Sequence, residues 1–166
     1  MILVTHGIIG AAAGSFFSFN PWLAFASGFL SHFVLDAIPH WHYKLKSFKD
    51  NKKALDRDIV FNKNSLTDLM KLGLDGSLGL IFPILIFWPI QPFSLHIIVF
   101  AAIGGMLPDA LQYVYMKFRH QPLTSLQKFH MKIHAERLLD KKPFFGISSQ
   151  VLIVLLGVGI TCWLLS

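Results

Sequence analysis

His32 and Asp36 stand four residues apart in a stretch with no other ionisable group, Leu30–Ile38. In a helix that spacing puts both side chains on one face. Imidazole with carboxylate is the ligand set of zinc and of other divalent ions that prefer nitrogen and oxygen. His6, Asp75 and Asp109 lie in similarly apolar surroundings, and His130 and His134 repeat the four-residue spacing. Pro39 is expected to end a helix near Ile38 and free His40 and His42 to bend back, although His42, like His120, also reads as an ordinary surface residue. The expected metal ligands are His6, His32, Asp36, His40, Asp75, Asp109 and His134, holding one or two divalent ions, zinc first, with manganese or magnesium as alternatives. Asp36, Asp75 and His130 are the expected catalytic groups. Each has a bland rival: an interhelical hydrogen bond for His6, an intrahelical pair for His32 and Asp36, a bond to a freed amide for Asp109 after Pro108, and a solvated helix face for His130 and His134. The joint pattern outweighs these separate readings. The single cysteine, Cys162, excludes a disulfide framework and a CxxC site, and without a Gly-x-Ser-x-Gly a serine nucleophile is not expected.

The elements that must position these residues follow from composition. Of the 166 residues, 54% are hydrophobic and only 14% charged, with a mean hydropathy of +0.55. A soluble domain averages about 25% charged residues, so the chain reads as an integral membrane protein. All 15 Lys and Arg fall within 44–71 and 117–142, leaving 1–43, 72–116 and 143–166 without a base. The net charge of +6 is therefore read as two cytoplasmic patches under the positive-inside rule, and no nucleic-acid partner is expected. The fold class is all-α: a polytopic bundle in one domain. It has five spans at 2–18, 21–38, 68–88, 94–116 and 146–165, a cytoplasmic loop at 43–66 and an interfacial amphipathic helix at 123–139. Asn20-Pro21 marks the first turn, and a break is expected in Trp88-Pro89-Ile90-Gln91-Pro92. Asn64, with Asp68 following in the first turn, is the expected cap of the third helix. Trp22, Trp88 and Trp163 fall at outer ends and Trp41, Tyr43, Tyr113 and Tyr115 near inner ends, as an aromatic belt requires. No basic n-region precedes the first apolar run, so no removable signal peptide is read. The amino terminus is expected inside and the carboxyl terminus outside. That arrangement puts His6, His32, Asp36, Asp75 and Asp109 at one depth, in the inner half of the membrane. Gly10-Ala11-Ala12-Ala13-Gly14 and Gly73, Gly76 and Gly79 are expected to pack helices closely.

Thr5-His6-Gly7, Ser31-His32-Phe33-Val34-Leu35-Asp36 and Gly105-Met106-Leu107-Pro108-Asp109 together resemble motifs of the small bacterial membrane-bound metal-dependent hydrolases. Here the P-D motif follows the S-H-x-x-x-D motif instead of preceding it, Leu111 takes the place of a second acidic residue, and the family's H-R-x-x-T-H-S run is absent. The resemblance implies a bacterial inner-membrane location and a hydrolase, and names no substrate. A site at headgroup level suggests a lipid or another amphiphilic ester or phosphoester, with the basic loops drawing anionic headgroups. Two alternatives stay open: a cation or proton transporter, and a non-catalytic membrane protein with a structural metal. Against transport, the ionisable groups stop in the inner half of the membrane, whereas a path needs stations through its whole thickness.

Overall fold

The computed structural model describes residues 1–49, 51, 54–89, 94–135 and 139–165. It is mostly helical, 72% in six helices, as the all-α reading expects. In chain order these are α1 (Leu3–Ser15), α2 (Pro21–Asp36), α3 (Ser65–Phe87), α4 (Leu95–Lys117), α5 (Leu123–Ile133) and α6 (Pro143–Leu165). A two-stranded antiparallel ribbon, β1 (Phe48–Lys49) and β2 (Asp58–Ile59), sits in the loop before α3, pairing Phe48 with Ile59 and Lys49 with Asp58.

Among the described residues, three helices are long and apolar enough to cross a membrane. These are α3, α4 and α6, each of 23 residues, with mean hydropathies of 1.7, 1.6 and 2.0. At helical rise each reaches about 35 Å, against a hydrocarbon core of roughly 30 Å. The first two expected spans come out shorter than the sequence suggested: α1 has 13 residues and α2 has 16, or about 20 and 24 Å. Their lengths are set by local chemistry. Ser15 turns its hydroxyl back onto the Ala11 carbonyl at 2.8 Å as α1 ends. Asn20 Oδ1 then accepts from the Trp22 and Leu23 amides, with Pro21 in the first turn of α2. Pro39 closes the other end, and α2 stops at Asp36, two residues before the expected limit.

The short α1 is the centre of the bundle, packed by α2, α3, α4 and α6. Ile8, Ala11 and Ala12 join Phe87, Ile98 and Ala102 in the main core, while Ala24, Ile97 and Ala101 form a second one between α2 and α4. Glycines let the backbones touch: a Cβ on Gly7 would overlap the Gly79 carbonyl, one on Gly105 the His6 carbonyl, and one on Gly28 the Ala101 carbonyl. In contrast, α3 and α6 present Leu69, Leu74, Leu85, Leu155 and Leu156 outward, each more than half exposed, as lipid-facing residues would be.

Two local expectations are corrected. Asn64 makes no side-chain cap on α3, and the Asp68 carboxylate instead accepts from the Ser47 amide and hydroxyl at 2.7 and 2.8 Å, pinning the loop to the helix. The amphipathic helix ends at Ile133 rather than 139, with 136–138 outside the described residues. The break expected around Pro89 falls partly on residues 90–93, which also lie outside them.

Candidate metal centre

The carboxyl end of α2 delivers His32 and Asp36, both wholly buried, to a point where α1, α4 and α5 converge. His32 Nδ1 lies 2.8 Å from the Gly105 carbonyl oxygen. A carbonyl only accepts, so Nδ1 carries the proton and Nε2 presents its lone pair. Pro108 lies inside α4 at this level and has no N–H to offer the Gly104 carbonyl. His32 Nε2 faces Asp36 Oδ2 at 3.1 Å, His130 Nε2 at 3.3 Å and Asp109 Oδ1 at 3.8 Å. His130 Nε2 lies 2.6 Å from Asp36 Oδ2. A proton on His130 satisfies that one pair and still leaves the His32 lone pair against the same carboxylate oxygen. His6, from α1, stacks on His32 with ring centroids 4.0 Å apart and aims Nε2 at Asp36 Oδ1, 3.3 Å away. Among the described residues neither His6 ring nitrogen nor Asp36 Oδ1 has a hydrogen-bond partner. Buried polar atoms are rarely left so, and an ion is one of the few things that satisfies several at once.

These atoms fit a metal. The ligating atoms of His32, Asp36, Asp109 and His130 all lie within 4.8 Å of one another. Two ligands 2.0–2.1 Å from a tetrahedral zinc are about 3.3 Å apart, close to the separation of His32 from His130 and from Asp36. The backbone bond to His32 Nδ1 is the outer-sphere contact that ligating histidines usually make.

A second group, His40, His42 and His134, meets the same test. His40 Nδ1 is held by the Ile38 carbonyl at 2.6 Å, His42 Nδ1 by Asp140 Oδ1 at 3.0 Å, and His134 Nδ1 by the Ala135 carbonyl at 2.8 Å. Their Nε2 atoms turn towards one another, His40 to His42 at 2.8 Å and His42 to His134 at 3.2 Å. Burial, ahead of nearby positive charge, pushes His40 down to about 3 and His42 to about 4, and it lowers His134 as well, so at neutral pH all three are uncharged imidazoles.

The structure therefore brings together His6, His32, Asp36, His40, Asp109 and His134 of the expected ligands, together with His130. It does not bring Asp75. That carboxylate caps α1 instead: Oδ2 accepts from the Leu3 amide at 2.8 Å and from the Tyr43 hydroxyl at 2.9 Å, and Oδ1 accepts from the Val4 amide at 3.0 Å. Burial, and next the Asp75 charge, raise the Tyr43 phenol, which keeps it a donor. Asp75 shares the depth of the site, but its carboxylate is taken up by three donors, two helix-end amides and one hydroxyl, and it stands outside both ligand groups. Conversely, His42 was not among the expected ligands; the signal for it was the His40-x-His42 pair directly after Pro39. The face of α5 that carries His130 and His134 turns inward. Gln127, His130, Met131 and His134 follow helical spacing and face the site, while Phe129 is half exposed.

A cavity of about 460 Å³ opens beside both groups. Asp109, His130, His42 and His134 reach its wall, Lys44 and Arg57 supply positive charge, and Leu45, Phe48 and Leu72 an apolar side. No protein-family model matches the chain, and no curated protein or solved structure shows significant similarity to it.

Proposed function

We propose that the chain is a membrane-embedded, metal-dependent hydrolase acting on a lipid or amphiphilic ester or phosphoester at the cytoplasmic headgroup level. The observation that carries this reading is the juxtaposition of the buried His32, Asp36 and His130 donor set with the 460 Å³ cavity, whose wall is part cationic and part apolar. A divalent ion held there, zinc or alternatively manganese or magnesium, supplies Lewis acidity and lowers the pKa of a coordinated water towards 7. The residues do the rest. His32, Asp36 and His130 would hold the ion, with His32 oriented by the Gly105 carbonyl. Asp109, whose side chain is 22% exposed and faces the cavity, is placed to ligate the ion or to take a proton from the attacking water. Lys44 and Arg57 neutralise an anionic headgroup, and the apolar wall receives the adjoining chain.

Position supports the same reading. Both basic segments flank the end of the bundle that carries the site, since they follow α2 and α4 and precede α3 and α6. Under the positive-inside rule the site end is read as cytoplasmic and the carboxyl terminus as outside, and the motif resemblance adds a bacterial inner membrane.

The test is turnover of bis(p-nitrophenyl) phosphate, p-nitrophenyl esters and vesicles of anionic phospholipid by zinc- or manganese-loaded protein in detergent. Hydrolysis of one class by wild type, and its loss in Asp36→Asn, is expected. Tight metal binding without turnover, accompanied by ion flux in sealed vesicles, would overturn the hydrolase in favour of a cation path.

A further inference from the structure

We propose that the centre is dinuclear: His40, His42 and His134 hold a second divalent ion, and the Asp36 carboxylate bridges it to the ion held by His32 and His130. The inference rests on the reading that the His32 group takes an ion, and extends it. Three observations carry it.

The first is tautomer chemistry. The three Nδ1 atoms each face an oxygen that can only accept, from Ile38, Asp140 and Ala135. Each therefore keeps its proton at Nδ1 and offers a bare lone pair at Nε2. Lone pairs cannot bond one another, yet these Nε2 atoms approach to 2.8 and 3.2 Å. A shared cation satisfies all three, in the manner of three-histidine zinc sites with an open fourth position.

The second is the outer sphere. Each imidazole of the trio has its far nitrogen anchored, two on backbone carbonyls and one on the Asp140 carboxylate, which also accepts from the His42 amide at 3.1 Å. Such anchoring fixes ring orientation before an ion arrives and is the usual companion of ligation.

The third is the place of Asp36. Its Oδ1 lies 3.6 Å from His40 Nε2, and its Oδ2 lies 3.9 Å from His134 Nε2, 2.6 Å from His130 Nε2 and 3.1 Å from His32 Nε2. One carboxylate thus stands between two nitrogen sets, the arrangement by which carboxylates hold metal pairs that clamp a transferring group.

The two sites differ in exposure. The side chains of His32 and Asp36 are 0 and 1% exposed, whereas those of His42 and His134 are 21 and 22% exposed and reach the cavity. The second ion should consequently leave first.

The experiment uses full-length protein in detergent, reloaded with zinc, with content read by elemental analysis and release followed with a chromogenic chelator. Wild type is expected to carry two zinc ions per chain and release them in a fast and a slow phase. His42→Ala should carry one, with only the slow phase. Asp140→Asn, which removes no ligand and should fold if His42→Ala does not, should weaken the fast site roughly 10–100-fold and spare the slow one. One ion in wild type, with release unchanged in both variants, overturns the second site and leaves the hydrolase reading standing. Two ions retained by His42→Ala also overturns the trio. No zinc in wild type overturns both readings.

Discussion

Asp36 has more polar neighbours than any other side chain of the site. Nε2 atoms of His6, His32, His40, His130 and His134 all lie within 4.0 Å of its two oxygens. Asp36→Asn keeps its shape and removes its charge, so metal affinity should fall by more than the ~10–100-fold of an outer-sphere change, as read by competition with a calibrated chelator. His40 and His42 give a pH prediction for the metal-free protein. Their folded values, about 3 and 4, lie below the unfolded 6.5. The stability they contribute is full above pH 6.5 and is lost as pH falls towards 3–4, because the unfolded chain takes up protons that the folded one refuses. The thermal midpoint in detergent should drop over that window, and a double His40→Gln/His42→Gln variant should flatten the drop. At this scale much was legible. His6, His32, Asp36 and Asp109 announce themselves because an ionisable group in an apolar helix needs a reason. His42 did not, since its partner Asp140 lies 98 residues away and only the fold joins them. Asp75 misled for the opposite reason: its depth matched the site, but depth says nothing of which donors surround it.

Among the elements, α1 and its glycine contacts decide whether the site can close. Gly105 touches the His6 carbonyl, so Gly105→Ala forces α1 away from α4. A loss of about 1–3 kcal/mol, typical of overpacking, is expected together with loss of bound metal. Gly73 has nothing within 4 Å of a Cβ, and Gly73→Ala should instead raise stability by up to about 1 kcal/mol on helix propensity, with metal unchanged. Thermal melts with parallel metal analysis distinguish the two. Asp75→Ala separates cap from ligand: removing the α1 cap should cost about 1–2 kcal/mol while the metal count stays at the wild-type level. Helix existence and nearly all boundaries could be read from charge-free stretches, Asn20-Pro21 and Pro39. The number of spans could not. The charge-free stretch 1–43 reads as two spans, whereas the lengths of α1 and α2 follow from Ser15, Asn20 and the turn between them, which charge mapping does not weigh.

For the whole molecule, orientation can be tested without settling the roles of α1 and α2, because α3, α4 and α6 alone fix the carboxyl-terminal side. In a Cys162→Ala background, a cysteine at Phe61, 82% exposed in the basic loop, should react with an impermeant thiol reagent only in inverted vesicles, and one at Trp163, 76% exposed, only from the outside. The reverse pattern would place the site on the outer face and remove the cytoplasmic headgroup from the proposed function. The cap on α1 has a consequence for biogenesis. The first helix is about 20 Å long and closes its leading amides on a carboxylate more than 70 residues further along the chain. When α1 leaves the ribosome it can neither cross the bilayer nor satisfy its own end, because Asp75 has yet to be made. The end of α1 is therefore closed by a group made well after it, and the cap can form only once α3 has followed.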